Sequence, residues 1–301
     1  MNCFITFSCL TLLILCSFFD ISAQKTDDDV IKVDSTIVLL NATVTDQSGK
    51  AASGITQKQF HVFEDGVEQE IITFAAESTP FAAVILLDTS GSMENRVSMA
   101  RSAAIRFLDG MRPDDHTAIY KFDSTIKMVQ DFSNSRDIVE AIFDLKAYGM
   151  TALNDAIYKA AVLLSARSEK RRAIIVLSDG ADTQSGKSSD AALKAAIAAN
   201  ATIYTIDMSS PDEKGIGRIQ SQSALKTFAA RSGGTFVATP GGPAMREAFK
   251  QIVEELGNQY TIAYEPKNTA KDGKFRAIEL KVARPNLTIR TRKGYNAPKG
   301  K

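Results

Sequence analysis

The side chains with chemistry to offer begin at Asp88, where the apolar run Ala82–Leu87 stops and Ser90 and Ser92 follow at two-residue spacing. A Val/Ile/Leu run without polar alternation is what a strand buried on both faces of a parallel sheet requires, so Asp88 is placed at that strand's carboxyl end. Ligands of open α/β sheets bind along this edge, and short oxygen side chains on one loop suit a hard cation without enclosing it. Asp88, Ser90 and Ser92 are therefore a candidate metal site. Taken alone, the pattern also fits a plain turn whose side chains bond their own backbone.

Two distant segments support the metal reading. Gly149-Met150-Thr151-Ala152-Leu153-Asn154-Asp155 precedes a helical pattern, and Ile174–Gly180 (IIVLSDG) is a second buried-strand run, ending on Asp179. With these loops in this order, the chain resembles the von Willebrand factor A family, whose metal-ion-dependent adhesion site is built from them. The resemblance implies that Ser90, Ser92 and Thr151 offer hydroxyl oxygens directly to Mg²⁺, while Asp88 and Asp179 hold it through bound waters. Mg²⁺ demands a near-octahedral shell at roughly 2.0–2.1 Å and keeps several waters. Hydroxyls nearest the ion leave it electrophilic and open to a carboxylate from a protein partner presenting Asp or Glu. Oxygen ligands choose weakly among hard ions, so Mn²⁺ and Ca²⁺ are alternatives. Met150 departs from the family pattern, which usually has a second Gly before the Thr.

These loops need strands and helices to carry them. From Phe81 to about Gly257 the two alternate, the signature of a doubly wound, mostly parallel sheet. Strands are expected near 82–88, 117–122, 126–131, 172–178, 202–207 and 235–238, giving six. The strand at 126–131 follows a tight turn at Asp123-Ser124 and is expected to be the antiparallel edge. Val97, Ala100, Ala104, Leu108 and Met111 form one helical stripe, and Met245, Ala248, Phe249, Ile252, Val253 and Leu256 another within Ala244–Leu256.

The flanks are strand-like instead. Residues 31–45 alternate, Phe60–Phe63 and Val67–Phe74 read as a hairpin, and Tyr260–Tyr264, Phe275–Val282 and Leu287–Arg290 read as strands. Residues 24–80 carry a net charge of −6 and 258–301 a net of +8, while 81–257 balance. Opposite fields attract, which suggests an additional small β domain assembled from both flanks; two independent extensions are the alternative. The division expected is thus 1–23, 24–80, 81–257 and 258–301. Within it, Val44–Lys50, Phe60–Glu70, Tyr260–Pro266, Asp272–Arg276 and Arg292–Tyr295 resemble a narrower group, the bacterial exported proteins called VWFA-related.

Cys3–Phe19 is an apolar run closed by Asp20 and followed by Ile21-Ser22-Ala23, whose small residues suit a signal peptidase. Export with cleavage near Ala23 is the reading, leaving no membrane span. The rival is an uncleaved anchor, for which the run is short against the typical span of about 20 residues. Cys3, Cys9 and Cys16 all lie there, so the mature chain would rest on no disulfide or thiolate site.

With 36 Lys/Arg against 35 Asp/Glu, the balance argues against a general nucleic-acid binder. His61 and His116 are the only histidines, and neither falls near the strand-end loops, so nucleophilic triads lack a general base and zinc-type clusters lack ligands. Asp88-Thr89-Ser90-Gly91 has no second copy to form an aspartic-protease carboxylate pair. Ser90 also stands where an aspartyl phosphatase needs its second Asp. Asp155 reads as a helix-start residue, and Asp182 and Asp207 as solvent-exposed. The function expected is a non-enzymatic, exported, metal-dependent protein-binding module; the alternative is a scaffold with an idle or purely stabilising site.

Overall fold

A computed structural model describes residues 37–76, 79–137, 139–210, 212, 214–238 and 242–300. The expected signal segment 1–23 lies outside them. Among the described residues, no helix is long and apolar enough to cross a membrane.

The amino-terminal flank forms β1 (Val38–Thr45), β2 (Phe60–Glu64), β3 (Val67–Gln69) and β4 (Ile71–Ala76). The centre follows as β5 (Phe81–Asp88), α1 (Val97–Asp109), β6 (His116–Phe122), β7 (Ile126–Ser133), α2 (Leu153–Ser165) and β8 (Arg171–Ser178). It continues through α3 (Ser189–Ala198), β9 (Ala201–Asp207), α4 (Ile216–Ser232), β10 (Phe236–Val237) and α5 (Gly242–Gly257). The carboxyl-terminal flank supplies β11 (Tyr260–Tyr264), β12 (Phe275–Val282), β13 (Thr288–Arg290) and β14 (Gly294–Asn296).

The central sheet has six strands in the order β10-β9-β8-β5-β6-β7, parallel except for β7, which pairs antiparallel with β6 at the edge. Every residue of β5 is buried, because both faces are covered. Ala83, Ile85 and Leu87 share a core with α1 and α5. Ala82, Val84 and Leu86 share the other with α2, α3 and α4. This two-sided burial reads in sequence as an unbroken apolar run, and it forces all the parallel strands to deliver their carboxyl ends to one edge.

The flanks pair strand with strand. β1 is antiparallel to β11 (Val38 opposite Tyr264) and β12 is antiparallel to β2 (Ile278 opposite Glu64). They build two antiparallel four-stranded sheets, β13-β1-β11-β4 and β14-β12-β2-β3, over one core that includes Leu40, Val62, Ile262 and Leu280. A buried polar contact also crosses the flanks: Glu64 Oε2 accepts from Tyr264 Oη at 2.7 Å and Tyr295 Oη at 3.1 Å. The single strand expected over Val67–Phe74 is two, β3 beside β2 and β4 beside β11 in the other sheet. Gln69 explains the break. Its buried side chain donates to Val67 O at 2.8 Å and accepts from Lys267 N at 3.0 Å, so the chain leaves one sheet at Glu70 and enters the other.

Arg171, at the start of β8, ties the sandwich to the centre. Fully buried, its Nη1 donates to the carbonyls of Leu256 at 3.3 Å, Gly257 at 3.2 Å and Thr79 at 3.4 Å. Nη2 donates to Gln259 O. The guanidinium thus satisfies orphan carbonyls at the end of α5 and favours that end of the helix dipole. Replacing it by alanine strands several buried acceptors. Arg171→Ala is expected to lower the unfolding free energy by about 3–5 kcal/mol, read as a lower urea midpoint at unchanged slope.

Candidate functional site

The carboxyl end of β5 places Asp88 at the bottom of the site with no exposed surface. Its Oδ1 accepts from Ser90 N at 2.9 Å, fixing the turn, and its Oδ2 accepts from Ser178 Oγ at 2.5 Å, across to the end of β8. Burial pushes the Asp88 carboxyl up to about 6; the bonds from Ser178 and Ser90 oppose this, and the charge of Asp179 adds to it. Ser90 Oγ and Ser92 Oγ stand 3.2 Å apart. The turn that carries Ser92 is joined to the next loop by Gly91 N donating to Gly149 O at 3.0 Å.

The second loop bends at Gly149, whose φ is +81°, and a Cβ there would meet Ser124 Oγ at 2.8 Å. That hydroxyl accepts from Met150 N at 3.0 Å. Met150 is absent from the positive-φ residues, so a side chain is tolerated where the family pattern has its second Gly. Thr151 is then locked to the third loop: its N donates to Thr183 Oγ1 at 2.9 Å, and its O accepts from Thr183 N and Gln184 N. Asp179 Oδ1 accepts from Ala181 N at 3.0 Å. Next to it, Gly180 has a φ of +83° and lies so close to α4 that a Cβ would come within 2.5 Å of Ser221 O.

The structure brings all five sequence-derived residues to one edge. Ser90, Ser92, Thr151 and Asp179 line an open cleft of about 650 Å³, and Asp88 lies behind it. Among the described residues, no group of three His, Cys, Asp or Glu is arranged to hold a metal. The donor set is instead two carboxylates and three hydroxyls. Oxygen-only donors, two of them carboxylates, fit a hard divalent ion that keeps part of its water.

Asp155 sits in the first turn of α2, as expected, and accepts from Gly186 N at 2.9 Å and Lys187 N at 2.8 Å. Asp182 is exposed but receives Leu153 N at 3.1 Å, so it caps the same helix. Asp207 is a correction. Expected at the surface, it is fully buried at the end of β9, accepting from Ser209 N at 3.0 Å and pairing with Arg218 Nη2 at 2.6 Å. A cation inside the fold keeps that carboxylate dry. Sequence reasoning also missed that α4 contributes Lys214 and Gly215 just before its start, then Ile216, Gly217, Arg218 and Ser221, to the cleft. One signal was available: Asp207-x-Ser209 repeats the Asp88-x-Ser90 spacing at the end of a neighbouring strand.

Residues 83–181 match the family model for the von Willebrand factor type A domain. The chain carries a von Willebrand factor type A domain. VWA domains are commonly protein-interaction modules. An uncharacterised protein of Synechocystis sp. is 25% identical over 228 residues, 73% of this chain and 51% of that protein. The chain therefore spans about half the length of the curated relative it matches. Among solved structures, a von Willebrand factor type A protein from Catenulispora acidiphila covers 83% of this chain and 71% of its own at 16% identity, with a TM-score of 0.49. An aerotolerance-related membrane protein from Bacteroides fragilis covers 58% of this chain and 98% of its own at 20% identity, with a TM-score of 0.45. The matched span of the VWA domain runs from β5 to the loop after β8, so it contains all three site loops.

Burial raises the Asp207 pKa, but the bonds from Ser209, Arg218 and Gln222 outweigh it and hold the group below its ordinary value. A depressed carboxylate adds stability that is present above the unfolded pKa and lost as pH falls through the folded one. Wild type is expected to exceed Asp207→Asn by about 1–3 kcal/mol at neutral pH. That margin should shrink below about pH 4 in urea titrations run across the acid range.

Proposed function

We propose that this chain is an exported bacterial protein-binding module whose VWA domain binds a partner's Asp or Glu through a divalent ion, Mg²⁺ first and Mn²⁺ or Ca²⁺ as alternatives. The observation that carries this is the convergence of Ser90, Ser92, Thr151 and Asp179 on one open cleft with Asp88 behind them. When bound, the ion supplies a positive centre with room for an outside carboxylate. Ser90, Ser92 and Thr151 are the hydroxyls that would hold it; Asp88 and Asp179 would balance its charge.

The chain's own bonds keep these oxygens in place before anything binds. Ser178 and the Ser90 amide orient Asp88, the Ala181 amide orients Asp179, and Thr183 fixes the backbone of Thr151. Such preorganisation reduces the ordering cost of association. The reading is of a binding site rather than a catalytic one. His61 pairs with Glu68 in the sandwich, and His116 stands by Glu169 at the opposite end of the sheet from the cleft.

A ligand that binds only the folded state stabilises it by about 2.7 kcal/mol at one hundred times its Kd. Mg²⁺ is expected to raise the melting temperature of the wild type relative to chelator, and Thr151→Ala to abolish that rise. Asp88→Asn should abolish it too. Because burying an ionised Asp88 costs stability, the metal-free Asp88→Asn protein is expected to be at least as stable as metal-free wild type at pH 7. Capture of extracellular proteins on the immobilised chain should then require Mg²⁺. A melting temperature insensitive to Mg²⁺ overturns the reading, and capture indifferent to chelator favours the scaffold.

A further inference from the structure

The lining of the cleft is not wholly polar. Met150, from the loop before α2, and Ile216, the first residue of α4, both line it, with 52% and 75% of their surfaces exposed. Large apolar side chains left in water beside a cluster of oxygen donors are the mark of a recognition surface. Neither is needed by the fold. Met150 occupies a position whose backbone a glycine would serve as well, and Ile216 lies well before the first buried residue of α4, Leu225.

The turn that displays Ile216 is nevertheless held firmly. Two residues on, Arg218 pairs with the buried Asp207 at 2.6 Å, and Gln222 donates to the same carboxylate at 3.3 Å. One turn further in, Ser221 is pressed against Gly180 beside Asp179. The Ile216 wall is thereby fixed relative to the carboxylate end of the site. Lys214 adds a positive charge to the same wall, which complements an acidic ligand.

We propose that the cleft reads two adjacent features of its partner: a carboxylate at the oxygen cluster, and a large apolar side chain next to it, taken up by Met150 and Ile216. The ligand class is a protein segment in which Asp or Glu is flanked by Leu, Ile or Phe. Asp207 and Arg218 are positioning residues for the apolar half. This rests on the metal-dependent reading above for the acidic half.

The test uses the full chain and two synthetic peptides, acetyl-Gly-Leu-Asp-Phe-Gly-amide and acetyl-Gly-Ser-Asp-Ser-Gly-amide, titrated in Mg²⁺ and in chelator with NMR detection. The apolar-flanked peptide is expected to bind about tenfold or more tightly in Mg²⁺, the gain that burial of one large side chain gives. Met150→Ser and Ile216→Ser should each erase most of that preference while the Mg²⁺-induced rise in melting temperature is unchanged. Met150→Leu should restore it. Equal Mg²⁺-dependent binding of both peptides overturns this inference and leaves the acidic reading standing. Binding of neither peptide, or binding that survives chelator, overturns both.

Discussion

The carboxylate of Asp88 is the constraint around which the functional edge is arranged. It ends a strand buried on both faces, so it cannot reach bulk water, and its two oxygens are taken by the Ser90 amide and the Ser178 hydroxyl. One bond fixes the turn that presents Ser90 and Ser92; the other ties the end of β5 to the end of β8, where Asp179 follows. A charge kept this dry raises its own pKa and costs stability. Costs of this kind collect where a fold carries a function, because the rest of the structure must over-determine the arrangement.

Asp207 shows the contrasting solution one strand over. The local geometry is the same, an Asp at a strand end accepting from the amide of the Ser two residues on, at 3.0 Å against 2.9 Å. Here Arg218 supplies a cation from within, and the bonds from Ser209, Arg218 and Gln222 together outweigh burial, so the pKa falls instead of rising. Two equivalent turns thus differ in whether the fold provides the positive charge. The internally paired turn anchors α4, and the other faces a cleft able to admit a charge from outside.

The flanks matter through rigidity. β1 and β11 are far apart in sequence yet pair residue for residue, and Arg171 bonds carbonyls on both sides of the junction between α5 and β11. The central sheet therefore emerges from the sandwich at a fixed point, with its carboxyl edge directed away from it. Glu64, Tyr264 and Tyr295 add a buried contact between strands that the sequence separates widely.

Much of this was legible without coordinates. An unbroken apolar run ending on Asp identifies β5 and β8, because burial on both faces leaves no place for polar alternation, and the antiparallel edge β7 follows from a hairpin of a few residues. The five oxygen-bearing residues were readable because each lies at a strand end or helix start, where local pattern and site position coincide. What the tertiary structure alone decided lies beyond such local coupling. The split of Val67–Phe74 between two sheets depends on where Gln69 finds partners, and the burial of Asp207 depends on an arginine eleven residues away on another element. The apolar lining from Met150 and Ile216 likewise joins residues with no shared periodicity. A sequence fixes the pattern each element presents, but which side chains meet across elements is set by packing, and packing is a property of the assembled chain.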